Sequence, residues 1–275
     1  MLVPDLMLVL TKDGLRMVSQ VTVGDEVWTG EDWSAIKAIS NNASARFYDY
    51  DFGNTTFRAN AAARIWQPTG SKCPAQLYQL NAALGPDGDY AADAVAEWDG
   101  YFWAVGDWID SLNKPCVKTL DAARADKLMP SAGVVKLRNL YVHRDTRIPR
   151  KSYEKRAVIP AAYMYAELPV LRAFLRGFVI AKATPDGTME LSSDRHACTM
   201  QLALNAIGIE TDRRQSSKVL TFPNTAHVNR VMDTDFEERE EKAAGQLQAV
   251  AAKGELKCFS WDVDSCWMSG IVLQN

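Results

Sequence analysis

The sequence predicts an α+β fold in which a β-rich domain, built from both ends of the chain, is interrupted by a helix-containing middle. Three observations predict it. The first 66 residues break into short β-branched or aromatic runs separated by DG, GD and GN turns. The closing run CFSWDVDSCWMSGIVLQN has no helical period and finishes on the apolar residues Ile271, Val272 and Leu273. Between them, PVLRAFLRGFVIA places Val170, Leu171, Phe174, Leu175, Phe178 and Val179 at helical spacing.

Taken in order, strands are expected at 6–11 (LMLVLT), 15–20 (LRMVSQ), 26–29 (EVWT), 35–39 (AIKAI), 47–52 (FYDYDF) and 55–59 (TTFRA). From Pro169 an amphipathic helix of about three turns follows, with proline near its start, where a missing N–H costs little. DGTMELSS then reads as a turn and strand, and SSDRHACTMQLALNAIGIETDRR as a Ser/Asp-capped helix ending at Gly208 and a further strand. Residues 234–252, rich in Ala and Glu, are expected to form a third helix leading back to the terminal β segment.

With 275 residues, 47% of them hydrophobic, the chain can bury a core, which excludes disorder, collagen and coiled coil. Cys73, Cys116, Cys198, Cys258 and Cys266 are odd in number and never spaced C-x-x-C, against a disulfide framework or a thiolate zinc site. A reducing, cytoplasmic setting is the expectation. No apolar run approaches the roughly 18 residues of a membrane span, and the opening residues lack a charged leader, so a soluble monomer without membrane contact is expected.

The formal net charge of −3 conceals a division. Residues 101–220 hold 19 Lys/Arg against 12 Asp/Glu, so a basic middle lies between acidic flanks. Its densest run, 136–156, contains Lys136, Arg138, Arg144, Arg147, Arg150, Lys151, Lys155 and Arg156 interleaved with Tyr141, His143 and Tyr153. Such a run either tracks phosphates or is a solvated face.

The opening MLVPDLMLVLTKDGLRMVSQVTVGDEV, a strand, a DG turn, a second strand and a VGDEV turn, resembles the first block of inteins, the self-excising elements of the Hint superfamily. GIVLQN, ending on Asn275, resembles their closing block, and the likeness covers roughly residues 1–66 and 255–275. It implies a β-rich Hint (horseshoe) splicing domain whose partners are the flanking host segments, the exteins, and which needs no cofactor. Splicing requires a thiol or hydroxyl that attacks the preceding carbonyl, an acid for the leaving nitrogen, and an Asn amide that attacks its own carbonyl to release a succinimide. Asn275 supplies the last step. Met1 stands where the family has Cys or Ser, Ala63 where its T-x-x-H histidine falls, and Gln274 where its penultimate histidine falls. A subset of the family takes its first nucleophile from a cysteine near the end, which the resemblance places at Cys258, with Trp66 as its partner and Asp262 or Asp264 as orienting groups. A small buried hydrophobe is the alternative role for Cys258.

The middle is similar to homing endonucleases of the LAGLIDADG family. LRGFVIAKA (175–183) carries Gly177 at the small-residue position that lets two such helices pack, and GYFWAVGDW (100–108) is a second, looser match ending on Gly106-Asp107. The likeness implies an αββαββα-type pseudo-dimer on double-stranded DNA, with one carboxylate per motif helix holding Mg²⁺ if the domain is active. Asp107 is the implied metal ligand. Its counterpart is Lys182, which cannot bind a cation, and Asp110 and Asp186 lie nearby in sequence. Lys118, Arg195, Arg213 and Arg214, together with the 136–156 run, are the implied contacts to phosphates and base edges.

The expected organisation is therefore a splicing domain from 1–69 and 251–275 with a LAGLIDADG-like insert at 70–250, impaired in splicing and in cleavage by its substitutions. The alternative is a free-standing LAGLIDADG-type DNA-binding protein or endonuclease without splicing activity.

Overall fold

The computed structural model describes the chain apart from residues 6, 52–55, 62, 67–71, 75–85, 87–92, 132, 155, 157, 214–216, 241–248, 269–270 and 275; at 42, 56, 64–66, 72–74 and 271–274 it describes the backbone alone. Two compact units are present: the described residues of 1–87, 204–216 and 241–275 form the first, and those of 88–203 and 217–240 the second. The fold is mixed α and β with antiparallel sheets.

The first unit opens with β1 (Leu2–Pro4), β2 (Leu8–Thr11) and β3 (Gly14–Met17), followed by β4 (Glu26–Trp28), β5 (Trp33–Ala35), β6 (Ile39–Asp51), β7 (Thr56–Asn60), β8 (Arg64–Trp66) and β9 (Lys72–Pro74). Its turns follow from their residues. Thr11 pairs with Gly14 across Lys12-Asp13, and Gly14 takes φ +108°, a conformation that only glycine adopts cheaply. In the VGDEV turn the Asp25 carboxylate accepts from the Thr22 N–H at 2.8 Å, with Gly24 at φ +97°.

The second unit begins with α1 (Ala94–Val105), capped by Asp93, whose carboxylate accepts the Ala96 N–H at 3.0 Å. Then come β10 (Asp107–Ile109), β11 (Lys114–Val117), α2 (Ala122–Ala125), β12 (Val134–Leu137) and β13 (Leu140–His143), whose strands make one sheet in the order β10-β11-β13-β12. α3 (Arg150–Glu154) and α4 (Ala161–Met164) lead into α5 (Leu168–Lys182), with Pro169 in its first turn. β14 (Thr188–Glu190), α6 (Asp194–Ala206), β15 (Val219–Thr221) and α7 (Thr225–Met232) follow, and β14 pairs antiparallel with β15.

α1 and α5 lie side by side because glycines let their backbones meet. A Cβ on Gly100 would collide with the Phe174 carbonyl oxygen, and one on Gly177 with that of Glu97. Trp103 packs against Phe174 and Phe178 across the same interface.

The chain then returns to the first unit as β16 (Ala249–Trp261), β17 (Ser265–Met268) and β18 (Ile271–Gln274). β16 lies between β1 and β6, β17 pairs with β2, and β18 pairs with β17 and β8, so strands from both ends of the sequence share two sheets. Val3, Val9, Val27, Phe57, Trp261, Val263, Cys266 and Met268 form the core they enclose.

Three expectations are corrected. Residues 249–252, read as the end of a helix, pair with Asp51 to Tyr48 as the start of β16, because strand pairing outweighs the helix preference of alanine; the preceding 241–248 lie outside the described residues. The strand expected just after Gly208 occurs instead at β15. Residues 47–51 of the strand expected at 47–52 are the end of the much longer β6, and residue 52 lies outside the described residues.

Candidate functional site

Two places concentrate the residues singled out by sequence. The first is the strand junction of the first unit. β1 runs antiparallel to β16 with Leu2 opposite Ser260 and Pro4 opposite Cys258. The pairing continues to Met1, whose amine donates to the Trp261 carbonyl at 2.6 Å while the Trp261 N–H donates to the Met1 carbonyl at 2.8 Å. Burial lowers the pKa of the Met1 amine, against the opposing pull of Cys266 and Asp262. Met1 and Ala63 pack on the same apolar cluster. On the other sheet Gln274 is opposite Arg64 and Ser265. Positions 1 and 63 thus share one core, and the closing strand pairs with β8, which begins at the residue after 63. Asn275 lies outside the described residues, as do the side chains of Gln274 and Trp66.

The side chains there supply little chemistry. A thioether at Met1 and a methyl at Ala63 are inert. Cys258 is three residues back along β16 from Trp261, roughly 10 Å at the rise of a strand, so it does not reach the Met1 carbonyl region directly. It is buried, and burial pushes its thiol pKa up. Asp262 and Asp264 are exposed, alternating with buried Trp261 and Val263. The thiol that senses the Met1 amine is Cys266, which sequence reasoning passed over; complete burial pushes its pKa well up, so it rests as a neutral thiol.

The second place is the foot of α1 and α5. Asp107 is almost fully exposed and pairs with Arg156 at 3.2 Å, and Arg156 also donates to the Gly106 carbonyl. At the end of α5, Lys182 has no carboxylate within ion-pair distance among the described residues. Trp103, Phe178, Arg156, Lys182, Ser192 and His196 line a cleft of about 250 Å³ there, together with Ala104, Glu190 and Leu191. His196 is buried, edge-on to Trp103 and Phe178, with Nδ1 2.9 Å from Ser192 Oγ and Nε2 without a hydrogen-bond partner. Burial, then Lys182 and Arg156, push its pKa down to about 4. A divalent cation does not fit this donor set: one implied ligand is tied to a guanidinium, and the other is an ammonium. Asp110 is paired with Arg150, and Asp186 is held by Thr184 and Thr188 in the turn after α5, so neither replaces the missing carboxylate.

The basic residues divide into two groups. Lys118, Lys136, Arg138, Arg144, Lys151 and Arg195 are exposed, and Lys136 lies 5.5 Å over the Tyr141 ring. Arg147 is instead paired with Asp93 at 2.7 Å, Arg150 with Asp110 at 3.1 Å and with Glu154 at 3.3 Å, and Arg156 with Asp107. Those three guanidiniums are each engaged with a carboxylate in the folded chain. Arg213 is half-buried in the first unit, and Arg214 lies outside the described residues.

Sequence reasoning also missed the polar groups inside the helix pair. Glu97 and Arg176 form a buried ion pair at 2.7 Å, with the Met129 N–H donating to Glu97 at 2.8 Å and Arg176 donating to the Met232 carbonyl at 2.6 Å. Burial raises the Glu97 pKa despite these partners. Asp99, fully buried, accepts from the Tyr163 hydroxyl and from the Arg147 N–H at 2.8 Å, and stands 3.2 Å from His143 Nε2.

No family model matches the chain, and no curated protein matches it. Among solved structures it is similar to a variant of the gp41-1 intein, at 14% identity and a TM-score of 0.26, over 30% of this chain and 68% of that one.

Proposed function

We propose that the chain is an intein-type splicing element whose second unit is a LAGLIDADG-like DNA-binding domain. The observation that carries the splicing reading is the two-bond pairing of Met1 with Trp261, beside a closing strand locked between β17 and β8. Splicing needs both junctions held in one rigid frame so that acyl transfer is intramolecular. The TKDG hairpin and the VGDEV turn, which carry the family resemblance, form tight turns with glycine in the left-handed region.

The chemistry this chain retains is asymmetric. Its first acyl shift lacks a nucleophile at position 1 and an imidazole at position 63. Attack of the Asn275 amide on its own carbonyl needs only that residue and a polarised peptide bond, with Gln274 as a hydrogen-bonding neighbour in place of an imidazole. Cleavage after Asn275 is therefore the expected activity, without ligation.

For the second unit the support is the glycine-mediated packing of α1 on α5, each helix leading into antiparallel strands. Lys118, Lys136, Arg138, Arg144, Lys151 and Arg195 are the candidates for contact with duplex phosphates. The donor set at the helix feet does not fit Mg²⁺, so no metal-dependent cleavage is assigned.

The test is intact mass spectrometry of the chain fused between two reporter domains, with Cys, Ser or Thr after Asn275. Release of the downstream reporter alone supports the reading, and restoring cysteine and histidine (Met1→Cys with Ala63→His) should then bring ligation. An inert fusion that stays inert in the restored variant overturns it, and salt-dependent duplex binding by that same protein would leave a free-standing DNA-binding protein.

A further inference from the structure

The cleft at the feet of α1 and α5 has a chemistry of its own. Ser192 has one hydroxyl proton, which it donates to the Arg156 carbonyl at 2.5 Å. Its oxygen can therefore only accept from His196, so the proton of the neutral imidazole sits on Nδ1 and the Nε2 lone pair is left over. That lone pair is buried, lines the cleft and has no donor. Buried acceptors left without a donor are costly, and their presence beside an open cleft points to a ligand that brings one.

The charges restrict that ligand further. Glu190, the carboxylate that lines the cleft, is paired with Lys218 at 2.5 Å, and Asp107 outside it pairs with Arg156, while the Lys182 ammonium faces the cleft without an ion-paired carboxylate among the described residues. A cation is repelled by Lys182 and Arg156. A fully deprotonated oxyanion such as sulfate would satisfy the ammonium but present another acceptor to Nε2. An oxyanion that retains one proton satisfies both.

We infer that this cleft binds a phosphate that keeps one proton, as inorganic HPO4²⁻ or as the singly protonated monoanion of a terminal phosphomonoester, with P–O⁻ oxygens on Lys182 and Arg156 and the P–OH donating to His196 Nε2. The site occupies the place where the family resemblance implies a metal, and the inference is independent of the splicing reading. An internal phosphodiester has no such proton, so the DNA backbone is excluded as the ligand and only a phosphorylated end qualifies.

The experiment follows the His196 ring resonances of the full chain by NMR during titration with inorganic phosphate and, separately, with sulfate. Phosphate is expected to shift them saturably and to bind several-fold more tightly than sulfate. Lys182→Gln should weaken both anions by roughly tenfold, the size of one lost charge-assisted hydrogen bond. His196→Phe, which keeps a ring against Trp103 and Phe178, should abolish the preference for phosphate while calorimetry still detects both anions. Displacement of bound phosphate by a 5′-phosphorylated duplex, and not by a hydroxyl-ended one, would identify a DNA end as the source; no displacement by either would identify the free ion. Absence of a saturable shift, or equal affinity for phosphate and sulfate in the unaltered chain, overturns the inference.

Discussion

The strand junction of the first unit and the helix feet of the second are built on opposite principles. At the junction the positions are fixed by backbone: two hydrogen bonds join Met1 to Trp261, and ladder pairing sets Gln274 opposite Arg64. Side chains can change there without moving the frame, and Met1 and Ala63 pack on its apolar core. In the second unit the helix pair is fixed by particular side chains, the glycines that admit two backbones and the buried charges that tie them to neighbouring loops. Substitution there alters the frame itself. Chemistry is thus separable from architecture in the first unit and bound to it in the second.

The comparison breaks most visibly at Glu97. Replacing it with alanine strands Arg176 in the interior and should cost about 3–5 kcal/mol, the range for breaking a buried ion pair. Glu97→Gln should cost clearly less, because the amide oxygen still accepts the Met129 N–H. Urea unfolding of the two variants checks the order, and equal losses would mean that the carboxylate charge, not the hydrogen-bond acceptor, is what the site requires. Gly177→Ala comes next, at about 3 kcal/mol, since its Cβ meets the rigid Glu97 carbonyl instead of a yielding side chain. The control is Gly24→Ala in the first unit, where no atom lies within 4 Å of the new Cβ and the cost, about 1 kcal/mol, is that of holding alanine at φ +97°.

His196 gives a third contrast, dependent on pH. Its pKa in the folded chain is about 4 against an ordinary 6.5, so between these values the unfolded chain binds more protons. The stability it contributes is complete above about pH 6.5 and is lost as pH falls toward 4, roughly 3 kcal/mol at 1.4 kcal/mol per pH unit. Melting temperature measured across that window should fall less steeply in His196→Phe than in the unaltered chain, whereas Met1→Cys in the first unit should leave the slope unchanged.

Legibility in the sequence follows the same division. The strands of the first unit announce themselves through alternation and glycine turns, and α5 through its apolar stripe. α1 was legible only as a loose motif: Glu97, Trp98, Asp99, Gly100, Tyr101, Phe102 and Trp103 are all buried, so it has no polar face and no amphipathic period. The start of β16 was misread because Ala249 to Ala252 have the local preference of a helix and acquire a strand only from β6. The motifs at the junction are local to each end of the sequence, whereas the register that joins them, Leu2 opposite Ser260 and Gln274 opposite Arg64, exists only in the folded chain. The same holds for the cleft: Ser192 and His196 carry a signal in their four-residue spacing on a capped helix start, but the distance to Lys182 and Arg156 exists only in the folded chain.

The smallest effect tests how the basic run divides. Arg147 holds Asp93, the cap of α1, through a pair that is partly exposed, so Arg147→Ala should cost under about 1 kcal/mol of stability. If its guanidinium serves the fold alone, the dependence of duplex affinity on salt should not change in that variant. Arg138, on the turn between β12 and β13 and held at φ +56°, faces solvent with its charge uncommitted among the described residues. Arg138→Ala should therefore lower the salt slope by about 1 while leaving stability nearly unaltered. A reversal, with Arg147 carrying the slope and Arg138 none, would mean that the Asp93 pair opens on DNA and that α1 exchanges its cap contact for a phosphate.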